Sequence, residues 1–72
     1  MQRKFNLYDK VRIKTGKYTN KVGVIVAIKH QRDRYVYTVS NHHEAIYPLG
    51  SFYAYEIMQI SVNEYLDNLL KH

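Results

Sequence analysis

The segment over residues 11–28, VRIKTGKYTNKVGVIVAI, constrains the fold more than any other part of the chain. Val11 and Ile13 alternate with Arg12 and Lys14, the period of two that marks a half-buried strand. Gly16 and the loop Lys17-Tyr18-Thr19-Asn20-Lys21 follow, and then Val22-Gly23-Val24-Ile25-Val26-Ala27-Ile28. Both faces of that second run are apolar, so it is buried on both sides or bends between two sheets. Gly23 inside it marks a bend or a close approach of backbones. The first strand is expected over about residues 10–14 and the second over about 21–29.

The remaining strands are shorter. Phe5 and Leu7 in the lead-in cap one end of the core. Residues 30–34 form a polar connection of hairpin length. Tyr35-Val36-Tyr37-Thr38-Val39 is strand-like by its aromatic and β-branched content. Ser40-Asn41-His42-His43-Glu44 turns the chain, and Ala45-Ile46-Tyr47 is a short strand ended by Pro48, which cannot donate to a ladder. Residues 49–55 read as irregular with a tight helical turn, and residues 56–60 as a last strand. Ser61-Val62-Asn63-Glu64 opens a helix as a capping box. Val62, Tyr65, Leu66, Leu69 and Leu70 form its apolar stripe, to be packed on the sheet or on a second copy of the chain. The organisation is therefore one domain: a small mainly β barrel of five strands over residues 1–60 and an amphipathic helix over 61–72.

That pattern resembles the SH3-like barrels, and residues 11–28 resemble the KOW motif. In that family an alternating strand ends at a glycine, a basic loop follows, and a glycine seven residues later opens an apolar strand. Gly16 and Gly23 have this spacing, and Lys17 and Lys21 supply the basic loop. Where the motif usually carries another glycine, this chain has Asn20, a residue that tolerates positive φ. The chain is also similar to the small peripheral reaction-centre subunit of photosystem I, through its VRI strand, its VG-initiated strand and the FYAYEIMQI end. The KOW resemblance implies binding to RNA, or docking on proteins of the ribosome or of RNA polymerase.

Charge points the same way. The first 34 residues carry ten Lys or Arg against Asp9 and Asp33, a net of +8. Beyond them only Lys71 stands against Glu44, Glu56, Glu64 and Asp67, a net of −3. Such asymmetry predicts a basic face for an anionic partner. Phosphate recognition needs several cations on one surface, here Arg12, Lys14, Lys17, Lys21, Lys29, Arg32 and Arg34. Tyr18 lies within the basic loop, placed to stack on a base. Eight tyrosines in 72 residues exceed what so small a core requires. Tyr47, Tyr53 and Tyr55, with Tyr65 and Leu69 on the helix, are the candidates for an alternative, protein-facing surface. Peptide-binding SH3 domains usually have an acidic first loop; the basic loop here argues against a proline-rich ligand.

Other chemistries find less support. The chain has no cysteine, so neither a disulfide framework nor a thiolate metal site is available. His42-His43-Glu44 invites a metal reading, but neighbouring strand residues point to opposite faces and converge poorly on one ion. No nucleophile elbow, carboxylate pair or glycine-rich phosphate loop is present. No apolar run suits a signal peptide or a membrane span. The expectation is a non-enzymatic, cytoplasmic module without a cofactor. It binds nucleic acid, RNA above DNA, as an accessory factor in translation or transcription. The alternative is an adaptor or inhibitor that docks on an acidic protein surface, as a monomer or as a dimer through the helix.

Overall fold

The computed structural model describes residues 3–41 and 48–70. The predicted strand at 45–47, the His42-His43-Glu44 turn and Tyr47 lie outside them. Strands β1 (Lys10–Ile13), β2 (Val22–Gln31), β3 (Arg34–Ser40), β4 (Pro48–Tyr53) and β5 (Ile57–Gln59) are followed by one helix, α1 (Val62–Leu70). Two single 3-10 turns, Gly16–Tyr18 and Ala54–Glu56, sit between β1 and β2 and between β4 and β5. The strands form one antiparallel sheet in the order β4-β3-β2-β1-β5. The molecule is thus mainly β with five strands and a C-terminal helix. Among the described residues strand pairing does not close the sheet, and β4 and β5 are its edges.

The two-faced apolar run of β2 is used on both sides. Ile25 packs with Phe5, Val11, Ile13, Tyr37, Val39 and Ile57 in the main core. Val24 packs on the opposite side with Ile60 and Tyr65, flanked by Val22 and Leu69. Simple alternation would put Ile28 on the Val24 side. Instead the ladder shifts register between Ile25 and Ala27, and Ile28 joins the Ile25 side, opposite Tyr37. A bulge adds one residue and so reverses the phase of all that follows. Gly23 is required by contact: a Cβ there would lie 2.5 Å from the Ser40 carbonyl oxygen and 2.7 Å from Val39 Cγ1.

Two strand boundaries differ from the sequence reading. The connection over residues 30–34 shrinks to Arg32 and Asp33, with Arg32 at φ 53. His30 pairs with Tyr35 across the ladder, and their rings stack at 4.5 Å and 17°. That cross-strand contact carries the hairpin to its tip. Residues 48–53, read as mostly irregular, form β4. Pro48 is tolerated there because β4 is an edge strand.

Helix α1 lies on β1 and β2. Ser61 Oγ accepts from the Glu64 amide at 3.0 Å, as expected. The Glu64 carboxylate does not reach back to the cap; it accepts from Arg12 at 2.8 Å. The predicted apolar stripe divides. Tyr65 is buried and Leu69 is half-buried against the sheet, whereas Val62, Leu66 and Leu70 are exposed. Tyr65 and Leu69 therefore serve the chain's own packing instead of an open docking face.

Candidate functional site

The predicted cations separate by where the fold sends them. Arg12 points to the α1 side, because Lys10 and Arg12 pair with Val24 and Val22 on β2. There Arg12 meets Glu64, and Lys10 lies 5.8 Å from the centre of the Tyr65 ring. Lys14, Lys17 and Lys21 stand exposed on the loop between β1 and β2. Lys29, Arg32 and Arg34 stand exposed on the β2–β3 hairpin. Arg12–Glu64 is the one ion pair among the described residues, so these six cations have no carboxylate partner there. Exposed cations without a paired acid raise the local positive potential of the surface.

The β1–β2 loop is fixed by its own backbone. Gly16 and Asn20 hold φ of 82 and 73, the left-handed region that Asn enters more readily than other side chains. The Asn20 amide donates to the Ile13 carbonyl at 2.7 Å, and the Ile13 amide to the Lys21 carbonyl at 2.9 Å. The Thr19 hydroxyl donates to the Gly16 carbonyl at 2.6 Å. Tyr18 is half-buried against the main core, and Lys17 Nζ lies 5.5 Å from its ring centre. Tyr18 thus offers less open ring than its place in a loop suggests.

The hairpin cations meet a second group of tyrosines. Register sets Val36 opposite Tyr53, and the Arg34 guanidinium lies 5.2 Å from the centre of the Tyr53 ring. The Tyr53 and Tyr55 rings stack at 5.9 Å and 18°. With Lys4, Tyr35, Tyr37 and Ala54 they line a cleft of about 460 Å³. Tyr37 is buried within it; its hydroxyl accepts from the Lys4 amide at 3.1 Å, and its ring meets Phe5 edge-on at 5.2 Å. Tyr55 is 66% exposed. The sequence pattern assigns Arg34 to nucleic acid and Tyr53 and Tyr55 to a protein partner. The fold brings all three together.

Glu56 ties the two regions to each other. One carboxylate oxygen accepts from the Tyr53 amide at 2.9 Å and the other from the Thr15 hydroxyl at 3.3 Å. Its carbonyl accepts from the Lys14 amide at 2.8 Å. The basic loop and the Arg34–Tyr53–Tyr55 stack therefore flank a single turn, Ala54–Glu56. Sequence reasoning missed Glu56, although a glutamate three residues beyond the end of a strand is the reach-back position of a capped turn. It also missed Lys4, for which the sequence holds no signal.

Among the described residues no group of three or more His, Asp or Glu is placed to hold a metal ion, and no helix is long and apolar enough to cross a membrane. No family model, no curated protein and no solved structure matches the chain.

Proposed function

We propose that this chain is a small non-catalytic module of SH3-like, KOW-type architecture that binds RNA through the end of the sheet around Ala54–Glu56. The observation that carries this reading is the set of six exposed cations that form no ion pair among the described residues, on the β1–β2 loop and the β2–β3 hairpin, with Lys14 and Arg34 reaching the turn itself. Each such cation that meets a phosphate releases a counterion, and that release is the main source of affinity for a nucleic-acid backbone. The positive φ at both Gly16 and Asn20 supports the KOW resemblance, which needs a tight basic loop at this place. The 3-10 turn between the last two strands supports the SH3-like one.

The test is fluorescence anisotropy of a labelled single-stranded RNA and a labelled duplex DNA at about 50 and 200 mM salt. The expected result is saturable RNA binding that weakens at the higher salt and is further weakened in Lys17→Ala/Lys21→Ala. Absence of binding at the lower salt would refute the reading.

A second reading, docking on an acidic protein, draws on a different observation. Val62, Leu66 and Leu70 recur every fourth residue and stay exposed on α1. Under that reading Leu66→Ser abolishes capture of the partner without touching RNA binding.

A further inference from the structure

We infer that the cleft lined by Lys4, Arg34, Tyr35, Tyr53 and Tyr55 is a stacking subsite for one unpaired base of a single-stranded RNA. The inference rests on the reading of the basic surface as an RNA-binding one, and adds which form of RNA it takes.

Arg34, Tyr53 and Tyr55 form a ladder, a guanidinium on one ring and that ring nearly parallel to the next. Arg34 occupies Tyr53, while Tyr55 is 66% exposed at the free end. A base laid on Tyr55 continues the ladder, and its phosphates lie within the field of Arg34 and Lys4. The cleft volume of about 460 Å³ falls in the range of roughly 300–1,000 Å³ typical of small-ligand sites.

The charge of the rim selects among aromatic-seeking ligands. Tyrosine clusters also bind quaternary ammonium and methylated amines, but those ligands are cations. The charged residues lining this cleft are Lys4 and Arg34, with no carboxylate among them, so they repel a cation and attract an anion. The nearby Glu56 carboxylate is occupied on both oxygens by Tyr53 and Thr15. That bridge also fixes the backbone between the two stacking rings before any ligand arrives, which lowers the ordering cost of binding. A planar, anionic ligand remains, and a nucleotide is one. In a duplex the base faces are already stacked on each other and only edges are offered, so the subsite discriminates for single strands.

The experiment titrates wild type, Tyr55→Ala and Lys17→Ala/Lys21→Ala with a short uridine-rich single-stranded RNA and with a blunt RNA duplex of equal length. Circular dichroism melts confirm that each variant folds. Tyr55→Ala is expected to weaken single-strand binding by about 5- to 150-fold, equivalent to about 1–3 kcal/mol, and to leave the duplex affinity and the salt slope unchanged. The lysine double variant is expected to weaken both RNAs. If Tyr55→Ala binds both RNAs like wild type while the lysine variant does not, the subsite is wrong and the basic surface stands. If wild type binds neither RNA, both readings fall.

Discussion

The two ends of this small sheet treat the same residue types in opposite ways. Under α1 a cation and a tyrosine are absorbed into the fold: Arg12 is paired with Glu64, and Tyr65 is buried with its hydroxyl donating to the Asn41 carbonyl at 3.1 Å. Around Ala54–Glu56 the cations form no ion pair among the described residues, and Tyr55 is 66% exposed. Satisfied groups hold a fold together; on the proposed reading, the unpaired charge beside Tyr55 serves a ligand. Residue type alone does not separate these roles; the face on which a strand places the residue does.

The sharpest way to break this contrast is to remove one tyrosine from each end. Tyr65→Ala is expected to cost about 3–5 kcal/mol, the usual loss for a large buried ring, and to leave so small a domain largely unfolded. Tyr55→Ala is expected to change stability by less than about 0.5 kcal/mol. Urea melts of the two variants compare them directly, and equal losses would contradict the assignment of Tyr55 to ligand contact. Next in size is Gly23→Ala. Its Cβ would enter the Ser40 carbonyl, backbone that cannot move cheaply, and the Val39 side chain, with an expected loss of about 1–3 kcal/mol in thermal denaturation.

Two smaller effects sharpen the buried side. Asn20→Ala is expected to cost about 1–2 kcal/mol, because the residue sits at φ 73, while Asn20→Gly should be close to neutral. Burial raises the Tyr65 phenol above its ordinary pKa of 10.0. The folded state then holds this proton more tightly than the unfolded chain, so the contribution is intact below pH 10.0 and is lost as pH rises through the folded value. Tyr65→Phe should be less stable by about 1 kcal/mol at neutral pH, and its stability should fall less in alkali than that of wild type. Glu64→Gln comes last. The pair is partly exposed, with side chains at 34% and 38%, so less than about 1 kcal/mol is expected, vanishing at high salt.

Much of the fold was legible because period-two patterning survives in a short chain. The order of elements, the close approach at Gly23, the positive φ at Asn20 and the Ser61 cap all follow from local rules. The failures are non-local. The bulge near Ala27 reverses which face Ile28 and Lys29 occupy, and no residue type marks it in advance. β4 runs on past Pro48 because an edge strand tolerates a proline, and which strand is the edge is a property of the whole sheet. The basic loop was read from its residues, but the Arg34–Tyr53–Tyr55 stack depends on the β3–β4 register. Arg12 looked like its neighbour Lys14 until α1 brought Glu64 to it.

The central claim is that the cations around Ala54–Glu56 contact phosphates and the cation under α1 does not. The most direct measurement is the slope of log affinity for single-stranded RNA against log salt concentration, for wild type, Lys17→Ala/Lys21→Ala/Arg34→Ala and Glu64→Gln. Each lost phosphate contact on a single strand should flatten the slope by about 0.7, so the triple variant is expected to lose about 2 units and Glu64→Gln none. A wild-type slope near zero, or a triple variant with the wild-type slope, would contradict the account.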